Sequence, residues 1–164
     1  MIEVEITGIQ VNLMSQHRVV LLREVGGNRY LTIWIGPFEA EAINVRLQEV
    51  EFARPLTHDL LKNTIEALGG VIQYIIVTDL QNDTFYGRIV VSVDGRELEI
   101  DSRPSDAMAL AVRAAVPIYV AEEVMDTAGI VPEQDLIAGE AIERESSAFD
   151  DFLKNLDIDD LPIH

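Results

Sequence analysis

The sequence predicts an α+β fold: a single domain in which a mixed, largely antiparallel sheet packs with three main helices, plus a short C-terminal helix. Two observations predict it. Short segments of alternating apolar and polar residues are separated by turn sequences, which indicates antiparallel strands. Three longer segments carry apolar residues at helical spacing, and two of them start at a proline, which suits a first helical turn.

The first three strands precede any helix. Residues 2–14 alternate in polarity, and Gly8 marks a bulge that reverses the alternation. Residues 17–24 and 29–35 are two further strands, joined by a glycine-rich turn. Trp34 lies within the third strand, so its side chain is expected in the core.

The three main helices differ in how much apolar surface they carry. The first runs from Pro37 to about residue 51. The second spans residues 57–68 and ends at a glycine pair. The third, residues 104–115, is apolar on nearly every side, so it is expected to be the central, largely buried helix. The buried stripe of the first helix is predicted to consist of Phe38, Ala42, Ile43, Leu47 and Val50.

The second half of the sheet follows the second helix. Asp94-Gly95 is the strongest two-residue hairpin signal in the chain, and it joins two strands. The remaining strands and one short helix are predicted at residues 71–80, 84–93, 96–101, 117–121 and 122–128. The sequence therefore divides into a domain at residues 1–135 and an acidic linker with a short amphipathic helix at residues 136–164.

Composition narrows the function classes. The chain holds 29 acidic residues against 12 Lys and Arg, a formal charge of −17, and residues 121–164 hold 13 of the acids. Tight non-specific binding of nucleic acid relies on Lys and Arg, so contact with a polyanion needs local arginines, a divalent cation or a partner. The absence of cysteine excludes disulfides and thiolate sites. With no signal-like start and no apolar run of about 20 residues, a cytoplasmic protein without membrane contact is expected.

The chain segments that open the second and third helices, called here the helix openings, contain the same four residue types. Residues 54–59 read RPLTHD and residues 101–106 read DSRPSD, so each holds an arginine, a proline, a hydroxyl and an aspartate. Free N–H groups at a helix start attract anions, and a neighbouring arginine suits a phosphate. We therefore treat both openings as one candidate site. Its candidate substrate-binding residues are Arg54, Thr57, Arg103 and Ser105.

His58 and Asp59 are candidate catalytic residues, together with Asp106. Neighbours on a helix point about 100° apart, so His58 must pair elsewhere, and Asp101 and Asp106 are the available carboxylates. The structural alternative is that Thr57 caps the helix, Asp59 complements its dipole and His58 is a half-exposed polar residue.

The second opening also has two interpretations. Asp106 falls at the third helical position, where it can accept the N–H of the capping residue. That leaves Arg103 unexplained. It either clamps an anion or forms a buried ion pair with Asp59, Glu39 or Asp101.

A metal-assisted mechanism is a further hypothesis for hydrolysis of phosphodiesters. The candidate oxygen ligands for Mg²⁺ or Mn²⁺ are Glu39, Asp59, Asp101 and Asp106, although no ligand spacing here is diagnostic. The structural alternative is that Glu39 complements the dipole of the first helix.

Several blocks resemble the bifunctional nuclease domain family. They are residues 31–36, 39–40, 54–60, 84–86, 102–107 and 117–120, in matching order across roughly residues 3–135. The resemblance implies a mixed α/β domain of its own type, with DNase and RNase activity assigned in some members, and hence a nuclease that meets nucleic acid as a transient substrate. The tail resembles the short acidic helix of actinobacterial-type members.

A homo-oligomer, with a dimer favoured, is expected. The alternative function is a non-enzymatic regulatory or adaptor protein, in which residues 148–156 bind a protein partner. That segment places Phe149, Phe152, Leu153 and Leu156 at helical spacing in acidic surroundings.

Overall fold

The computed structural model describes residues 1–11 and 17–132, which form seven strands and four helices. The predicted linker and amphipathic helix at residues 136–164, with the proposed partner segment 148–156, lie outside the described residues. No helix in the described part of the chain is long and apolar enough to cross a membrane. In chain order the elements are β1 (Ile2–Val11), β2 (Arg18–Glu24), β3 (Tyr30–Ile35), α1 (Pro37–Leu47), α2 (Thr57–Ala67), β4 (Gly70–Gln81), β5 (Thr84–Val93), β6 (Arg96–Ser102), α3 (Pro104–Ala114), β7 (Ile118–Val120) and α4 (Glu122–Ala128).

One open sheet has the strand order β3-β2-β1-β7-β4-β5-β6. Every neighbouring pair is antiparallel except β4 and β7, which run parallel. The predicted α+β class with a mixed, largely antiparallel sheet is therefore confirmed. The predicted bulge in β1 is also confirmed, because the register with β2 shifts between Ile6 and Gly8.

Turn chemistry explains the second half of the sheet. Asp94 and Gly95 both adopt positive φ angles, of 50° and 74°, which is the geometry of a two-residue hairpin with the twist of its strands. Asn82 and Asp83 also take positive φ angles between β4 and β5. These are residue types that tolerate the left-handed region, so the turns fix β4, β5 and β6 as a meander.

Helix α3 is the centre of the domain, as predicted. Its residues Ala107 to Ala111 are at most 1% exposed, and α3 packs against α1, α2, β4 and β5. The small side chains of its alanines allow neighbouring elements to approach closely. The core therefore lies between this helix and the sheet.

The prediction for α1 was wrong at its end and over much of its buried stripe. The helix ends at Leu47, because Glu49 adopts a left-handed φ of 54° and Val50 N donates to Val45 O. Ending one turn early removes Val50 from the helix. The buried residues are Ala40, Ile43 and Val45, whereas Phe38, Leu47 and Val50 are exposed.

Two further expectations were wrong in detail. Helix α2 is capped at Leu56 rather than Thr57, and the Leu56 N–H donates to Asp59 Oδ2 at 2.8 Å. Trp34 is only partly buried and contacts His17 edge to face at a centroid distance of 5.0 Å. It lies on an edge strand, so the core covers it incompletely.

A buried arginine connects the three main helices. Arg113, near the end of α3, has a side chain that is 3% exposed. Its Nε donates to Asp59 Oδ1 of α2 at 2.7 Å, and one terminal nitrogen donates to the carbonyls of Ala42 in α1 and Ala109 in α3, both at 2.7 Å. Since a guanidinium buried in this way must be paired, the packing of the helices depends on these bonds.

We expect Arg113→Met to destabilise the domain by roughly 3–5 kcal/mol, because it leaves Asp59 and two carbonyls without their donor. Urea unfolding followed by circular dichroism measures the loss. Arg88→Met is the matched control, since the Arg88 pair with Glu99 is half exposed and should contribute only about 0–1 kcal/mol. Equal midpoints for the two variants would contradict a structural role of Arg113.

Acid should weaken the same connection. Burial tends to raise the pKa of Asp59, but hydrogen bonds from the Leu56 N–H and Arg113 outweigh it, so the pKa lies below the ordinary value of 3.8. The unfolded chain therefore binds this proton first, and the stabilisation is complete above pH 3.8 and is lost as pH falls through the folded-state pKa. Asp59→Asn should remove part of the slope of stability against pH below about pH 4. Asp94→Asn, in an exposed turn, is the control, and identical slopes in both variants would refute the assignment.

Candidate active site

The two helix openings meet through His58 and Asp106. His58 is the second residue of α2 and Asp106 is the third residue of α3. His58 Nε2 lies 3.0 Å from Asp106 Oδ1, and the two side chains are 14% and 29% exposed. The expectation that His58 pairs with Asp101 or Asp106 is confirmed for Asp106. The pair joins residues 48 positions apart in the chain, so it depends on the packing of α2 against α3.

Arg103 occupies the other oxygen of the same carboxylate. Its Nε lies 2.7 Å from Asp106 Oδ2, and a terminal nitrogen lies 3.1 Å from Glu39 Oε1 in α1. The ion pair with Glu39 was one of the predicted alternatives, but the Arg103 side chain is 64% exposed rather than buried. An exposed guanidinium held by two carboxylates can exchange one of them for a phosphate.

Asp106 does not accept the N–H of the capping residue of α3, as one prediction had it. Both of its oxygens face side chains, those of His58 and Arg103, instead of the capping N–H. Burial tends to raise its pKa, but hydrogen bonds from Arg103 and His58 outweigh this and lower the pKa below its usual range. Asp106 is thus an ionised acceptor that fixes the orientation of the imidazole.

Asp59 points away from this pair. It follows His58 directly on α2, and its oxygens are held by Arg113 Nε and the Leu56 N–H. The residue that explains it, Arg113, was missed from the sequence. The available signal was a single charge within the apolar segment 107–121, because a buried charge requires a partner.

The four candidate metal ligands do not come together. The described residues contain no group of three or more His, Asp or Glu placed to hold a metal ion. Glu39 and Asp106 both bind Arg103, Asp59 binds Arg113, and Asp101 is exposed on the edge strand β6. This donor set does not fit a shared cation, because its carboxylates are engaged by guanidinium groups or lie apart.

A cavity of about 550 Å³ opens beside Arg103. Glu39, Arg103 and Ser105 line it on the side of the helix openings, and Trp34 lines it from β3. Ser105 is 6% exposed, and the indole nitrogen of Trp34 is buried without a hydrogen-bond partner among the described residues. The volume and the mixed lining suit a small ligand or one unit of a polymer.

The other two candidate binding residues lie at the opening of α2. Thr57 and Arg54 are exposed, and Arg54 lines a second cavity of about 340 Å³. The structure thus places Arg103 and Ser105 at one cavity and Arg54 at another. His58 and Asp106 lie between α2 and α3.

Known proteins resemble this chain over most of its length. The sequence model of the bifunctional nuclease domain matches residues 20–133, which contain both helix openings. An uncharacterized protein of Mycobacterium tuberculosis strain H37Rv is 44% identical over 161 residues, which cover 96% of each chain.

Plant proteins match over a shorter range. Bifunctional nuclease 1 of Oryza sativa subsp. indica is 29% identical over 107 residues, covering 63% of this chain and 32% of the rice protein. Bifunctional nuclease 2 of Arabidopsis thaliana is 27% identical over 112 residues, covering 66% of this chain and 34% of the relative. Since the family match extends over more than half of the sequence, this chain belongs to the bifunctional nuclease domain family.

Proposed function

We propose that this protein is a nuclease that hydrolyses phosphodiester bonds of RNA, DNA or both, at the site between the openings of α2 and α3. One observation carries the proposal: a single carboxylate, Asp106, holds an imidazole on one oxygen and an exposed guanidinium on the other. Phosphodiester cleavage needs a group that moves a proton and a cation that binds the phosphate, and this arrangement supplies both. Family membership supports the same conclusion.

His58 is the proton-transfer group in this proposal. Asp106 binds its Nε2, while Nδ1 makes no hydrogen bond with any residue in the described ranges. That nitrogen accepts a proton from the attacking water as the water oxygen bonds to phosphorus. The leaving oxygen takes a proton from solvent as its bond to phosphorus breaks, and the imidazolium then returns its proton to solvent. The ionised Asp106 stabilises the imidazolium formed in between.

Arg103 binds the scissile phosphate by releasing Glu39. Glu39 and the phosphate compete for the same exposed guanidinium. Binding of the phosphate therefore exchanges one anion for another at little cost. Ser105 and Thr57 offer hydroxyl donors at the two helix openings. Asp59 is a positioning residue, since its contacts fix the first turn of α2 and hence the backbone that carries His58.

We also propose a cytoplasmic homodimer with nucleic acid as a transient substrate. Helix α2 supports the dimer, because none of its residues is buried. Its Leu60 is 60% exposed, and Leu68, which directly follows the helix, is 78% exposed. An exposed leucine on α2 and another directly after it favour burial of this surface against a second copy of the chain.

Sedimentation velocity checks the dimer. The wild type should sediment at twice the monomer mass, and Leu60→Glu should shift it toward the monomer because a charge would be buried in the interface. A monomeric wild type would contradict this part of the proposal.

Cleavage of labelled single-stranded RNA and DNA tests the catalytic site. His58→Ala should lower the turnover rate by about 10²–10⁴-fold, the usual contribution of a general acid–base group. Arg103→Gln should weaken substrate binding and turnover together, because the phosphate loses its charged donor. Arg96→Gln is the matched control, since Arg96 is exposed on β6 and lines neither cavity.

Each variant is first shown to fold by circular dichroism, and each assay is run with Mg²⁺, with Mn²⁺ and with EDTA. Cleavage lost in His58→Ala but retained in Arg96→Gln supports the assignment. Equal cleavage by these two variants, or none by the wild type under any of the three conditions, would overturn it.

A further inference from the structure

The second cavity, of about 340 Å³, is lined by several arginines although the protein as a whole is acidic. It lies between the end of α1, the loop of residues 48–56 and the first turn of α2. Three arginines line it, out of only 12 Lys and Arg in a chain with a formal charge of −17. These arginines are Arg46, Arg54 and Arg113.

The three arginines are not equivalent. Arg113 is buried and paired with Asp59. Arg46 and Arg54 are exposed and form no hydrogen bond or salt bridge with any residue in the described part of the chain, and the charge of Arg46 contributes to lowering the pKa of Asp59. Glu51 and Asp59 are the two carboxylates on the wall, so three guanidinium groups face two negative charges. The cavity therefore retains a net positive charge that suits an anion.

One aromatic side chain also lines the cavity. Phe52 lines the cavity and is 51% exposed, which places a large apolar ring beside the two arginines. Arginines that follow the backbone and aromatic rings that stack on bases are the combination by which proteins bind single-stranded nucleic acid. The volume lies at the small end of ligand sites, which matches one nucleotide rather than a duplex.

We propose that this cavity binds one nucleotide of a single-stranded nucleic acid, with Arg46 and Arg54 on its phosphate and Phe52 stacked on its base. The choice of a nucleotide rests on the nuclease function proposed above. The cavity and His58 flank the same turn of α2, since Asp59 lies on the cavity wall and His58 precedes it in the helix. A strand anchored here continues past the first turn of α2 toward His58. Because a paired base cannot enter the recess without leaving its stack, single strands are the preferred substrate.

Titration with 5′-AMP, followed by amide NMR of the full chain, tests the site without requiring cleavage. In the wild type, the resonances that move should belong to residues 45–59. Arg46→Gln and Arg54→Gln should each weaken binding by about tenfold, because each removes a charged donor to the phosphate. Phe52→Ala should weaken binding of 5′-AMP more than binding of inorganic phosphate, and adenosine should bind less well than 5′-AMP.

Arg96→Gln is the matched control, since Arg96 is exposed on β6 and lines neither cavity. Unchanged affinity in Arg46→Gln and Arg54→Gln, an equal loss in Arg96→Gln, or no shifts in residues 45–59 would each overturn the proposal.

Cleavage of single-stranded and duplex DNA of one sequence separates this proposal from the nuclease function. Cleavage without 5′-AMP binding in the cavity would refute the nucleotide site and leave the nuclease intact. Binding of 5′-AMP as predicted, with no cleavage of either substrate, would refute the nuclease and support the site.

Discussion

The guanidinium of Arg113 is the interaction on which the arrangement of this domain depends. Apolar packing alone holds α3 against the sheet, but it does not determine how α1 and α2 are oriented around α3. Arg113 adds direction, because its planar donors must meet Ala42 O in α1 and Asp59 in α2 simultaneously. The carboxylate of Asp59 also accepts the N–H of Leu56, the residue that caps α2. A single buried charge thus positions the helix that carries His58.

The candidate site inherits its geometry from this arrangement. His58 and Asp59 are neighbours on α2, so fixing Asp59 on one side directs His58 toward Asp106 on the other. Arg103 then extends the contacts to Glu39 in α1. The three helix openings are therefore linked by side-chain contacts that run from Glu39 through Arg103 and Asp106 to His58. Arg113 and Asp59 form a separate, buried pair on the other side of α2. Ligand exchange belongs to the exposed Arg103, and the buried pair keeps α2 in place.

Local signals predicted most of the fold, whereas contacts between distant residues were predicted only in part. The Asp94-Gly95 turn and the bulge at Gly8 act through their own backbone, so the sequence sufficed. The end of α1 was misplaced because Glu49, not a glycine, takes the left-handed conformation. For His58, the sequence left two possible partners, the carboxylates of Asp101 and Asp106. Arg113 was overlooked, because its partners on α1 and α2 lie 71 and 54 residues away and no spacing rule indicates them.

The short strand β7 has a consequence for how the chain folds. It pairs with Ile2–Val4 at one side and with Ile75–Val77 at the other, so three residues join the two antiparallel parts of the sheet. Each part consists of sequence-adjacent strands that can assemble early, whereas β7 must find partners more than a hundred residues upstream and more than forty residues upstream. Closing such long loops is slow. Pairing of β7 therefore closes the longest loops in the sheet, and it joins two meanders of sequence-adjacent strands into one seven-stranded sheet.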